Sequence, residues 1–273
     1  MSSEAQTMTP TNDNHAVGGT EADANATQAL EELFKGSEAV DDSVLDGFYS
    51  IRDMDGFEKW ISEHKSTLCK PTVAQTEPKR KILVLDLDNT LISRGGCEVD
   101  FVVDCENGCH YSIFIHPDCM SFLHEMAAHY ALISIFTSSS WIYATKIKKK
   151  IEERYLEAYP NSICPIRMVM ASGHCTLVEG ERKKDLLKFG SLDNVVFVDD
   201  DPYYSMRSQN DNVVQVRRYH GEESQQGGLL ALVPLLSFLS SVESVPTTLR
   251  KLKKVWHTNN LVEIVQSTVG VTC

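Results

Sequence analysis

Apolar residues fall along this chain in two rhythms. Short unbroken runs occur at Ile82–Leu85, Ala131–Phe136, around Val169, at Val195–Val198 and at Val213–Val216. Runs of this length, stopped by polar residues, predict strands covered on both faces. Between them the spacing becomes helical, over 117–129, 139–157, 183–189 and 202–208. Strand and helix in alternation, with doubly covered strands, predict an α/β domain with a mostly parallel central sheet flanked by helices. One stretch breaks the pattern. Val99–Val103 and Tyr111–Ile115 alternate apolar and polar residues about Asn107-Gly108, which predicts an inserted β-hairpin. A helix near 229–240 and a basic amphipathic stretch over 247–266 follow the last strand.

Upstream of the first strand the chain reads differently. Residues 44–64 carry Leu45, Phe48, Ile51, Phe57, Trp60 and Ile61 at helical spacing, with a weak point near Gly56. Residues 65–80, with Pro71 and Pro78, read as a linker. The first forty residues lack periodic apolar positions and read as disordered. These patterns divide the chain into an acidic tail (1–42), a helical segment with its linker (43–77), the α/β domain (78–245) and a helical extension (246–273).

Composition sharpens this division. The 273 residues are 42% hydrophobic and 23% charged, enough apolar material for one large core. The net charge is −12, which speaks against direct nucleic-acid binding. Residues 1–50 hold ten acids and one base, leaving 28 acids and 25 bases elsewhere, so the acidity belongs to the tail. The tail is a candidate docking segment for a partner that the sequence does not identify. The longest apolar run, Leu229–Leu239, is interrupted by Pro234 and Ser237 and is short of the roughly 20 residues of a bilayer span. No signal or transit pattern opens the chain. Its eight cysteines are therefore expected to be reduced thiols.

The candidate chemistry sits where strands stop. Asp86-Leu87-Asp88-Asn89-Thr90 follows the first strand and Asp199-Asp200-Asp201-Pro202 follows another. The carboxyl ends of parallel strands open on one crevice, so these carboxylates are expected to meet there. Crowded carboxylates in a partly buried crevice call for a cation, and an all-oxygen set suits Mg²⁺. Asp86 and Asp88, two apart, share a strand face. Asp86 is then a candidate nucleophile toward phosphorus, and Asp88 a candidate general acid and base.

These residues carry a resemblance. Asp86-Leu87-Asp88-Asn89-Thr90-Leu91 resembles the Asp-x-Asp-x-Thr signature of the haloacid-dehalogenase-like (HAD-like) superfamily. More narrowly it is similar to the FCP/SCP branch, the NLI-interacting-factor-like phosphatases of the RNA polymerase II C-terminal domain and related phosphoproteins. Three later segments follow in the family's order: Phe136-Thr137-Ser138, Arg182-Lys183-Lys184-Asp185-Leu186 and Val198-Asp199-Asp200-Asp201-Pro202. The resemblance runs from about Lys81 to Leu239. It implies a Rossmannoid domain with no large helical cap and Mg²⁺-dependent phosphomonoester hydrolysis through an aspartyl-phosphate. It implies Thr137, Ser138 and Lys184 as phosphate-binding residues, with Lys183 the neighbouring alternative for the motif lysine. Asp86, Asp199 and Asp200, with the Asp88 backbone carbonyl, would hold the metal.

The same resemblance implies a phosphoprotein substrate, phosphoserine or phosphothreonine, and residence in the nucleus or cytoplasm. Phe101, Val103, Tyr111 and Ile113 of the hairpin would either form a substrate pocket for an apolar or proline residue or simply seal the hairpin onto the domain. Four positions depart from the branch: Asn89 stands for its usual Glu, Asp200 for the Asn frequent in the small phosphatases, His116 for Arg and Ser172 for Arg. A catalytically weak phosphopeptide-binding module, and a small-molecule or phosphotyrosine phosphatase, are the competing readings. Cys97, Cys105, Cys109 and His110 lack zinc-site spacing. The Lys146, Lys148, Lys149, Lys150 and Arg154 run reads as a solvated helix face.

Overall fold

A computed structural model describes residues 54–68, 81–95, 99–105, 108–221 and 228–253. The expected tail, residues 44–53 of the expected helical segment, residues 69–80 of the expected linker and the chain beyond 253 lie outside these residues, and residues 65–68, also expected as linker, are helical. Five strands form the central sheet: β1 (Ile82–Leu85), β5 (Leu132–Phe136), β6 (Ile166–Met170), β9 (Val195–Asp199) and β10 (Val213–Gln215). Their order is β10-β9-β1-β5-β6 and every pairing is parallel.

The unbroken apolar runs are explained by the two cores on either side of this sheet. Leu83, Leu85, Val196 and Val198 belong to a large core, whereas the alternate residues Val84, Val195 and Phe197 belong to a smaller one. Helices α3 (Cys119–His129) and α4 (Trp141–Ala158) cover the large-core face through Phe122, Leu123, Met126, Ile147 and Ile151. The opposite face is closed by a 3-10 turn, Leu186–Phe189, whose Leu186 is fully buried. Burying each such aliphatic side chain is worth about 1.5–3 kcal/mol.

The terminal elements complete the large core. Helices α1 (Met54–Glu63) and α2 (Lys65–Leu68) contribute Phe57, Trp60, Ile61 and Leu68. Helices α5 (Gly228–Ala231), α6 (Val233–Leu239) and the helical residues 245–253 contribute Leu229, Leu235, Leu236, Leu249 and Leu252. Lys81 ties the two ends together, its ammonium donating to the carbonyls of Asp193 and Glu243 at 2.8 Å each. Among the described residues no helix is long and apolar enough to cross a membrane.

The expected hairpin is present as β3 (Phe101–Asp104) and β4 (His110–Ile115), with Asn107 outside the described residues. A third strand, β2 (Ile92–Arg94), joins it through β4 and makes a three-stranded antiparallel sheet beside the acidic strand ends. Two expected helices are absent. Residues 183–189 divide into β8 (Glu181–Lys183) and the 3-10 turn, and β8 pairs with β7 (Thr176–Val178). Glu179 and Gly180, at φ 52° and 84°, make the two-residue turn that this hairpin's twist requires. Residues 202–208 form 3-10 turns at Pro202–Tyr204 and Arg207–Asn212.

Candidate active site

The register of the central sheet sets the site. Leu85 lies level with Val198 on β9 and with Ile135 on β5. The residues that follow each strand therefore emerge together, and the Asp86 amide donates to the Val198 carbonyl at 2.8 Å. Asp86, Asp88, Thr137, Ser138, Lys184, Asp199 and Asp200 all line one open cleft of about 300 Å³.

Lys184 is the hub of its floor. Its ammonium donates to Asp86 Oδ1 at 2.5 Å and to Asp199 Oδ2 at 2.8 Å, and all three residues are at least 95% buried. The lysine arrives there because Lys184 bridges to Ser205 beyond the β7–β8 hairpin, its amide donating to the Tyr204 carbonyl at 2.7 Å. Lys183, the neighbouring candidate, points elsewhere: its ammonium donates to the Tyr203 carbonyl at 2.8 Å and lies 3.8 Å from the Tyr203 ring centre.

Three carboxylates converge beside Lys184. One oxygen each from Asp86, Asp199 and Asp200 lies within 4.8 Å of the others. Burial pushes the Asp86 carboxyl well above its ordinary value, with Lys184 opposing it and Asp199 adding to it. Burial likewise raises Asp199 against the pull of Lys184, and raises Asp200 against Arg218. Lys184 itself is raised, because Asp199 and Asp86 outweigh the burial that works against its charge. Three buried carboxylates around one ammonium leave excess negative charge in oxygen-only surroundings, which fits a hard divalent cation. Thr90 supports this corner: its hydroxyl accepts from the Asp200 amide at 3.2 Å and donates to Asp200 Oδ1 at 3.4 Å.

Asp88 is held apart from that cluster. Its Oδ1 accepts from Arg94 Nε and the Tyr143 hydroxyl, and its Oδ2 from the Ser139 hydroxyl, all at 2.7 Å. The Thr137 hydroxyl donates more weakly to Oδ2, at 3.4 Å. Burial would raise this carboxyl, but the Arg94, Tyr143 and Ser139 donors outweigh it and hold it below its ordinary value. The two acids of the Asp-x-Asp pair are thus driven in opposite directions, Asp86 up by burial and Asp88 down by its donors.

Some expectations need correcting. Thr137 lies ahead of α4, which Ser140 caps by accepting from the Tyr143 amide at 3.4 Å, and Thr137 Oγ1 accepts from the Ser139 amide at 3.0 Å. The hairpin side chains do not line the cleft. Val103 and Ile113 are buried at 3% and 0% exposure in the large core, and Phe101 and Tyr111 pack against it. Val103 and Ile113 thus serve to seal the hairpin, whereas Phe101 and Tyr111 are only partly buried.

Four cleft residues escaped the sequence reading. Arg94 ends the unpredicted strand β2. Ser139 precedes α4, Tyr204 ends the 3-10 turn Pro202–Tyr204, and Arg218 follows β10, pairing with Asp200 at 2.7 Å and Asp201 at 3.4 Å. A basic or phenolic residue carries no signal until a neighbouring strand brings it to the cleft. Among the described residues the Asp86–Asp199–Asp200 group is the one set of potential metal ligands, so Cys105, Cys109 and His110 form no such site.

The all-parallel sheet, the acids at adjoining strand ends and the lysine inserted between them define the haloacid-dehalogenase-like class. The profile described as NLI interacting factor-like phosphatase matches residues 81–246. The chain belongs to that family of phosphatases. It is similar to CTD nuclear envelope phosphatase 1 of Xenopus tropicalis, 30% identical over 191 residues, covering 64% of this chain and 74% of that one. CTD nuclear envelope phosphatase 1B of Danio rerio is 31% identical over 188 residues, covering 63% and 72%. CTD small phosphatase-like protein 2 of Dictyostelium discoideum is 31% identical over 196 residues, covering 68% of this chain and 32% of its own.

Proposed function

We propose that this protein is a Mg²⁺-dependent phosphoprotein phosphatase acting on phosphoserine or phosphothreonine through an aspartyl-phosphate. The observation that carries the reading is the buried Asp86–Lys184–Asp199 bridge beside a separately held Asp88. Asp86 Oδ attacks phosphorus, the bond to the leaving oxygen breaks, and Asp88 supplies that oxygen with a proton. Asp88, now ionised, then takes a proton from water, which attacks the phosphorus and frees both Asp86 and phosphate. Lys184 neutralises the phosphoryl oxygens in both steps, and the Thr137 and Ser138 groups donate hydrogen bonds to them. Asp86, Asp199, Asp200 and the Asp88 carbonyl would hold Mg²⁺, whose charge would further stabilise the phosphoryl oxygens.

The donors around Asp88 bear on rate. They favour its ionised form, which suits the second step, so poor leaving groups depend on a minor protonated fraction in the first. Over the cleft, the described residues include no helical cap, which favours a phosphoresidue carried on a protein chain over a small metabolite. Nuclear residence is the localisation that the nuclear envelope relatives' names support. Residues 78–245 form the catalytic domain in this reading, with 1–42 as an acidic tail for a partner.

The test is phosphate release from a phosphoserine peptide and an aryl phosphate, with and without Mg²⁺, using wild type and Asp86→Asn. Peptide turnover that needs both Mg²⁺ and Asp86 is expected. Turnover of the aryl phosphate alone would favour a small-molecule phosphatase. Failure on both substrates by folded protein would favour a binding module.

A further inference from the structure

The wall of the cleft beside Asp88 is not the apolar surface that the hairpin's sequence implies. Arg94 lies across it. The guanidinium carbon is 5.3 Å from the ring centre of Tyr111 and 4.8 Å from that of Tyr143, both within cation–π range. Arg94 Nε donates to Asp88 Oδ1 at 2.7 Å and to the Tyr143 hydroxyl at 3.0 Å, and Nη2 donates to Ser139 Oγ at 2.8 Å. The fork is thereby fixed in orientation, yet the side chain remains 43% exposed. Nη1, with two N–H groups, has no hydrogen-bond partner among the described residues.

Position assigns the fork a face of the substrate. Lys184 sits on the floor with Asp86 and Asp199, the side that receives the phosphoryl oxygens. Arg94 is bonded to Asp88, the group that addresses the leaving oxygen, so it borders the residue that bears the phosphate and that residue's neighbours in the peptide. An oriented guanidinium with a free edge suits a planar or tetrahedral anion, which it can bind through two parallel N–H groups. A proline or aliphatic side chain placed there would cover that edge and leave its donors without water or partner.

Resting on the phosphatase reading, we propose that Arg94 is a specificity-determining residue that selects phosphopeptides carrying a second anion, a carboxylate or another phosphate, beside the phosphoresidue being hydrolysed. Arg94 also donates to Asp88, so its recognition role is read from ratios between peptides and not from the absolute rate.

Three phosphoserine peptides of one length test this, with alanine, glutamate or a second phosphoserine next to the target. Turnover and equilibrium binding are both measured on the full chain with Mg²⁺, for wild type, Arg94→Gln and Arg94→Lys. Wild type is expected to favour the two anionic peptides in kcat/KM by about fivefold to tenfold, the scale of one partly exposed charged hydrogen bond. Any general effect of the substitution on Asp88 acts on all three peptides alike and cancels in the ratio. Arg94→Gln is expected to bring that ratio to about one, mainly through KM, and Arg94→Lys to restore part of it. An equal ratio in wild type, a preference for the neutral peptide, or a preference that survives Arg94→Gln overturns the proposal. Absence of turnover with all three peptides would refute the phosphoprotein-phosphatase reading instead. The same ratios taken from binding would then still decide whether Arg94 selects the second anion.

Discussion

Lys184→Met offers the sharpest physical test of the site. The substitution preserves the length of the side chain and removes its charge, leaving Asp86 and Asp199 buried together at 5% and 1% exposure without the ammonium between them. Removing one partner of a buried ion pair costs about 3–5 kcal/mol, a large share of the roughly 5–15 kcal/mol that holds a domain together. For a domain of this size that corresponds to a melting point lower by about 6–20 °C. Direction with pH follows from the same groups. Both carboxyls are raised by burial, so the folded state binds protons more tightly than the unfolded one. Their contribution is fully present below the ordinary carboxylate range and is lost as pH rises through the raised values. Lys184 now limits that loss, and Lys184→Met should enlarge it.

Urea unfolding of metal-free protein, followed by circular dichroism at pH 4.5 and at pH 7.5, measures both effects. The variant should lose the stated stability at the higher pH and much less at the lower. Lys184→Met/Asp199→Asn should recover at least about 1 kcal/mol relative to Lys184→Met alone, a coupling visible in a double-mutant cycle. A loss below about 1 kcal/mol, or an equal loss at both pH values, would refute the reasoning that Lys184 neutralises this floor.

Other consequences are independent of that bridge. His116 is 3% exposed, its Nδ1 accepts from the Asp118 amide at 3.1 Å, and burial lowers its pKa to about 4. The folded protein therefore keeps it neutral, and stability should fall by up to about 3 kcal/mol between pH 6.5 and pH 4, a slope that His116→Gln should flatten in urea titrations. Mg²⁺ at a hundredfold its dissociation constant should stabilise wild type by about 2.7 kcal/mol, and a calorimetric scan should show that gain sharply reduced in Asp200→Asn. Because Asp88 is held ionised, turnover of a series of aryl phosphates should slow as the leaving group becomes more basic. Tyr143→Phe, which removes a 2.7 Å donor to Asp88, should make that dependence shallower; an unchanged slope would count against the role given to Asp88.

The central sheet was legible because its strands are buried on both faces, which leaves an unbroken apolar run that needs no partner to be recognised. Both acidic segments were legible for a related reason: they stand immediately after such runs, where the parallel topology forces them together. Lys184 was less so. The run Arg182-Lys183-Lys184 reads as a helix face, yet it forms a strand end, because Glu179-Gly180 supplies two positive-φ residues without the Asn-Gly or Asp-Gly that usually marks such a turn. Strand β2 was missed because three residues carry no periodicity; its existence depends on pairing with β4, where Ile92 faces Ile115 and Arg94 faces Ile113. With β2 went Arg94. The hairpin's alternation was read correctly, but sequence could not tell whether its apolar face meets a substrate or the core. Val103 and Ile113 are buried in the core, and the Arg94 guanidinium lies over the Tyr111 ring.

The most direct measurement is a rapid-quench reaction of the full chain with a radiolabelled phosphoserine peptide and Mg²⁺, stopped in acid within one turnover and mapped by peptide sequencing. Transient label on the protein is expected, confined to Asp86, which decays as phosphate is released and never forms in Asp86→Asn. Phosphate released with no labelled protein at any time, or label that persists in Asp86→Asn, would contradict that expectation.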